Sequence, residues 1–160
     1  MSNAIILFSH GSVLCGAGQN LVELAMRLRE RGVASIAEVG FLNYSEPRFL
    51  DTFRRCVEQG ATRVTVVPYF LVAGKFVKED LPDVIATAQA EFPHVEVQVA
   101  EAIRFHPLLA DALIACAERA RPPAAWRDTK AQVAAFCRAH PRCPLYGTED
   151  CPATRSVEVV

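Results

Sequence analysis

Residues Val64 to Pro82 read VTVVPYFLVAGKFVKEDLP, and this stretch decides the fold. Val64, Val66 and Val67 are apolar and β-branched, which suits a strand covered on both faces. Pro68 has no N–H to give a central ladder, so regular pairing is expected to stop near it. Phe70 to Asp80 reads as a loop, and Leu81, Val84, Ile85 and Ala88 then recur at helical spacing. Strand, loop, helix is the repeating unit of an open α/β sheet, whose ligands gather at the carboxyl ends of the strands.

The same unit recurs on either side. Ala4 to Ser9 (AIILFS) is apolar on both faces and ends in His10-Gly11-Ser12. A helix is predicted from about Asn20 to Arg31, with Leu21, Leu24, Ala25 and Leu28 on its inner face and Gly32 as its stop. Ile36 to Leu42 is the second strand. Ser45 is the candidate N-cap of the next helix, with Pro47 in its first turn. That helix buries Phe49, Leu50, Phe53 and Val57, and Gly60 ends it. Val95, Val97 and Val99 alternate with polar residues, as in a half-exposed edge strand. A further helix begins near His106-Pro107 and puts Leu109, Ala112, Leu113 and Cys116 on one face. The prediction is an α/β fold: a four-stranded parallel sheet flanked by helices, in the order 2-1-3-4. That order sets His10 beside the loop Phe70 to Asp80. Arg121-Pro122-Pro123 marks a boundary, giving a domain over 1–121 and an extension over 122–160. The extension is read as a helix, about Ala124 to Ala139, and a Cys-rich tail.

A chain of 160 residues, 51% hydrophobic and 22% charged, has the make-up of one packed domain. A formal net charge of −1 gives no electrostatic case for nucleic acid. No apolar run is long enough to span a membrane, and MSNAIILFSHGS lacks a basic leader, so the expected location is cytoplasmic. There is neither a Walker loop nor a GxGxxG segment, so ATP and dinucleotides are not expected. His10 directly after the first strand is a candidate metal ligand or proton acceptor. Glu101 and His106 follow the fourth strand, and with His10 they make a mixed nitrogen and oxygen donor set. Cys56 and Cys116 lie in helical patterns, where free cysteine often acts as a small buried hydrophobe.

His10-Gly11-Ser12, PYFLVAGKFVKEDLP and AEAIRFHPLL, in that order, resemble the small sirohydrochlorin chelatases, the class II cobalto-, nickel- and ferrochelatases of cobalamin and sirohaem biosynthesis. The resemblance covers roughly residues 3 to 120. It implies ATP-independent insertion of a divalent metal (Co, Fe or Ni) into a sirohydrochlorin-type tetrapyrrole, the chelatase α/β fold, and a homodimer. His10 matches the family's first metal-binding histidine. The second belongs to the phrase G-x-H-V-x-x-D-[IL]-P, which here reads Gly74-Lys75-Phe76-Val77-Lys78-Glu79-Asp80-Leu81-Pro82. Phenylalanine therefore stands where the second imidazole belongs. Two readings follow. The site works with His10 and a substitute, Glu101 or His106, or the fold is kept as a metal- or tetrapyrrole-binding protein for delivery or sensing. In the first reading His10 is ligand or base and Glu101 accepts the second proton. Phe76, Phe70 and Leu71 pack on the macrocycle, and Lys75, Lys78 and Arg104 pair with its carboxylates. Asp80 is either a helix N-cap or a direct participant.

Cys137, His140, Cys143 and Cys151 put four soft or borderline donors in fifteen residues. They suit an iron–sulfur cluster, with Cys15 or a partner chain able to supply a ligand, or a structural zinc. A disulfide and unligated thiols stay open. Cysteine-bound clusters outside the core fold occur in some members of the resembled family, which favours iron–sulfur.

Overall fold

The sheet's central strand is β1, Ser2–Ser9, and its burial alternates. Ala4, Ile6 and Phe8 enter one core cluster, while Leu7, with Ile5 packed against it, enters the other. A strand apolar on both faces needs cover on both, and the flanking helices provide it. The computed structural model describes residues 2–12 and 18–126. These fall into two units, residues 2–12 with 18–105, and residues 106–126.

In the first unit, β1 pairs in parallel with β2 (Ile36–Phe41) and β3 (Ala61–Pro68), and β3 pairs in parallel with β4 (Glu96–Val99). The order is 2-1-3-4, as the sequence predicts. Pro68, opposite Phe8, is the last residue of β3. Helix α1 (Gln19–Glu30) packs Leu21 and Ala25 against Leu7, Val39 and Phe41. Gly32 takes a positive φ of 68° as the helix stops. On the other face, α2 (Phe49–Glu58) and α3 (Leu81–Glu91) contribute Phe49, Phe53, Cys56, Leu81, Ile85 and Ala88. Thr52 is buried among them, and its hydroxyl donates to the Val39 carbonyl at 2.7 Å. A forked pair from Arg54 to Glu91, at 2.7 and 2.9 Å, ties α2 to α3. It holds the Glu91 carboxyl below its ordinary range. β4 is an exposed edge strand, and only Val95, just before it, is deeply buried.

Three local expectations are corrected. Ser45 does not cap α2, which starts after Arg48 without a side-chain cap; its hydroxyl is bonded to Ser12 instead. The segment Phe70 to Asp80 is not all loop. Phe76–Asp80 forms a π-helical turn in which the Leu81 N–H donates to the Phe76 carbonyl, and this runs straight into α3. Asp80 is therefore already inside helical backbone and makes no cap hydrogen bond. Cys116 is exposed rather than buried. It lies on α4 (Leu108–Ala117) in the second unit, and none of the described side chains of that helix is buried. The second unit also holds α5 (Pro123–Trp126), the start of the helix predicted from Ala124. The remainder of that helix and the donors Cys15, Cys137, His140, Cys143 and Cys151 lie outside the described residues. Among the described residues, no helix is long and apolar enough to cross a membrane.

Candidate active site

His10 leaves β1 at the carboxyl edge of the sheet, and the loop after β2 grips the backbone around it. The Leu42 N–H donates to the Ser9 carbonyl at 2.9 Å, and the Asn43 N–H to the His10 carbonyl at 2.8 Å. Ser45 Oγ accepts from the Ser12 N–H at 3.0 Å and donates to the Ser12 carbonyl at 3.2 Å. Gly11, at φ 90°, is required by this closeness, because a Cβ there would overlap the Asn43 carbonyl oxygen. Arg48 braces the gripping loop from outside, donating to the Leu42 carbonyl at 2.9 Å.

The imidazole of His10 sits among rings. Phe76 lies over it, with centroids 4.1 Å apart and planes inclined by 37°. Tyr44 stands edge-on, with centroids 5.4 Å apart at 61°. Behind Phe76 an aromatic column runs into the core through Phe70, Phe8 and Phe49, with successive centroids 6.1, 6.0 and 5.6 Å apart. The position that would hold the family's second histidine is thus in ring contact with His10. Phenylalanine at this position neither ligates a metal nor titrates. His10 Nδ1 lies 3.3 Å from the Gly11 carbonyl oxygen. A carbonyl can only accept, so in this contact Nδ1 is the donor.

The other predicted residues are distributed around this centre. Lys75 and Lys78 are exposed on the π-helical turn and the residue before it. Glu101 is exposed two residues beyond β4, in a segment that continues along β3: the Ala100 N–H donates to the Val66 carbonyl at 2.9 Å and the Ile103 N–H to the Phe70 carbonyl at 3.0 Å. Glu101 therefore belongs to the same sheet edge as His10, with β3 between their strands. Arg104 follows with a left-handed backbone, φ 46°. His106 opens the second unit, where its Nδ1 accepts from the Leu108 N–H at 3.3 Å. Among the described residues no three His, Cys, Asp or Glu side chains are grouped to hold a metal, so His10, Glu101 and His106 form no ready-made ligand set. Tyr44, and Ser45 as anything other than a helix cap, carry no direct signal in the sequence. Their one signal is indirect: in a 2-1-3-4 sheet the loop after strand two must flank the loop after strand one.

A family model described as CbiX matches residues 4–120. The sirohydrochlorin cobaltochelatase of Methanocaldococcus jannaschii is 39% identical over 79 residues, which are 49% of this chain and 55% of that one. The chloroplastic sirohydrochlorin ferrochelatase of Arabidopsis thaliana is 33% identical over 110 residues, 69% of this chain and 49% of that one. The chain thus spans about half the length of these curated relatives. Among solved structures, the sirohydrochlorin chelatase SirB of Bacillus subtilis subspecies spizizenii, in complex with cobalt, superposes with a TM-score of 0.69 at 26% identity, over 85% of this chain and 62% of that one.

Proposed function

The chain belongs to the CbiX family, and from that premise we propose that it inserts a divalent metal ion, Co²⁺, Fe²⁺ or Ni²⁺, into a sirohydrochlorin-type tetrapyrrole without ATP. The observation that carries this reading is the ring contact between His10 and residue 76 at the carboxyl edge of the sheet. The most specific phrase of the resemblance, PYFLVAGKFVKEDLP, meets the His10-Gly11-Ser12 segment there. Insertion exchanges one metal dication for two pyrrole protons, so the site must accept two protons and hold the macrocycle flat side on. His10 Nε2 takes the first proton or hands over the metal. Glu101 takes the second. The spacing of neighbouring strands supports this division of labour: with β3 between them, the strands that lead into the two groups lie roughly 10 Å apart. Phe70, Leu71 and Phe76 pack on the macrocycle face, and Lys75, Lys78 and Arg104 pair with its acidic arms.

The reading extends to a cytoplasmic homodimer. Leu108, Leu113 and Ile114, large apolar residues exposed on α4, support association with a second copy. The spacing of Cys137, His140, Cys143 and Cys151 supports an iron–sulfur cluster, with zinc as the alternative. The test is an anaerobic absorbance assay with sirohydrochlorin and each metal in turn, beside a protein-free control. The protein is expected to accelerate metallation, and His10→Ala to lose most of the gain, about 100-fold or more for a positioned base. No acceleration with any metal, from folded protein, would overturn the reading.

A further inference from the structure

Tyr44 has the marks of a residue kept for a ligand. Its backbone is left-handed, φ 61°, a conformation that bulky L residues rarely adopt and that gathers at functional sites. The chain on both sides of it is tied to the His10 loop. Asn43 is held by its N–H to the His10 carbonyl at 2.8 Å, and Ser45 by two bonds to the backbone of Ser12 at 3.0 and 3.2 Å. The ring stands edge-on to His10 at 5.4 Å, opposite in kind to Phe76, which lies over the imidazole at 4.1 Å. Yet Tyr44 is 62% exposed and belongs to neither core cluster. The fold gains no burial from the ring, so burial does not offset the backbone strain.

We propose that Tyr44 is a substrate-contacting residue of the His10 site, its ring packing against the unsaturated face of the tetrapyrrole together with Phe76. This rests on the tetrapyrrole reading of the same site. The ring is the active part: an aromatic face offers the macrocycle stacking or edge contact that an aliphatic side chain does not match.

Metal-free sirohydrochlorin is titrated into the protein and binding is followed by the tetrapyrrole's own fluorescence, so that affinity is read without turnover. Tyr44→Phe keeps the ring and is expected to bind within about twofold of the native chain. Tyr44→Leu and Tyr44→Gly lose the ring and should bind roughly 3- to 10-fold more weakly, the range for one aromatic contact. Tyr44→Gly also relieves the left-handed strain, so its melting temperature should hold or rise while its affinity falls. A residue with a purely structural role would not separate the two readouts in that direction. Native affinity in Tyr44→Leu and Tyr44→Gly would overturn the proposal alone, as would a loss in Tyr44→Phe equal to theirs. Failure of the native chain to bind the macrocycle would overturn the tetrapyrrole reading, and this proposal with it.

Discussion

Replacing Gly11 by alanine tests whether the His10 loop is held by close backbone contact. Gly11 has φ 90°, which alone costs a side-chain-bearing residue about 1–2 kcal/mol. The added Cβ would overlap the Asn43 carbonyl oxygen and come within 3.0 Å of the Asn43 carbonyl carbon and 3.1 Å of the Ser45 nitrogen. All of these are backbone atoms, so no side chain can swing aside. The loop after β2 must retreat, and the bond from Asn43 N–H to the His10 carbonyl is the first to go, at about 1 kcal/mol. The sum is about 2–3 kcal/mol, or a fall of about 10 °C in melting temperature for a domain of this size. Gly32→Ala is the control. Gly32 also has a positive φ, 68°, but a Cβ there meets nothing within 4 Å, so only the conformational part should appear. Thermal and urea unfolding of the two variants, followed by circular dichroism, give the difference. Equal losses in Gly11→Ala and Gly32→Ala would refute the close-contact argument, since strain alone would then account for both.

Two other perturbations separate the core from the site. Burial first, and the Glu38 charge second, push the Cys56 thiol from 9.0 up to about 12. The folded chain then holds a proton that the unfolded chain gives up, so this contribution is intact below pH 9 and falls as pH rises towards 12, by at most about 1.4 kcal/mol per pH unit. Cys56→Ala should flatten that alkaline loss in urea titrations, and an unchanged slope would contradict it. Phe76→His restores an imidazole against His10 and should tighten Co²⁺ binding by about tenfold or more in anaerobic absorbance titrations. Folded Phe76→His protein with native affinity would mean that residue 76 does not face the metal.

What the sequence made legible follows from how far each signal reaches. Local patterning marks AIILFS as covered on both faces and EVQV as an edge, and the switch-point rule for parallel sheets, which sets strands one and three side by side, supplies the order 2-1-3-4. The pairing of His10 with residue 76 came from motif order laid on that topology. Ser45 was misread because cap preference is a local rule, whereas its partner Ser12 is 33 residues away and shares no periodicity with it. The π-helical turn looks like loop in the sequence because Gly74 and the charges of KFVKED hide a helical start that the apolar pattern alone does not announce until Leu81. Tyr44 was missed for a related reason. A left-handed tyrosine in NYSEPRF has no composition signal, and only the loop's attachment to the His10 backbone gives it a role.

Phe76 puts an apolar ring where the resembled phrase carries an imidazole. Its ring continues the column from Phe49 through Phe8 and Phe70, so it is fixed from the core side, and it presses on His10 at 4.1 Å. Among the described residues no carboxylate or thiol pair joins His10 to complete a metal cage. For a carrier this would be a defect, since one imidazole gives a divalent ion one bond. For an inserting enzyme it has the right sign. A metal held by a single protein donor keeps its other positions for the pyrrole nitrogens and leaves the protein when they bind, because catalysis gains nothing from binding the starting metal as tightly as the transition state. On the same reading, the half-buried ring in place of the second imidazole adds apolar surface beside His10 for the macrocycle. On the proposed chelatase reading, this one residue both withholds a ligand from the metal and adds apolar contact for the tetrapyrrole.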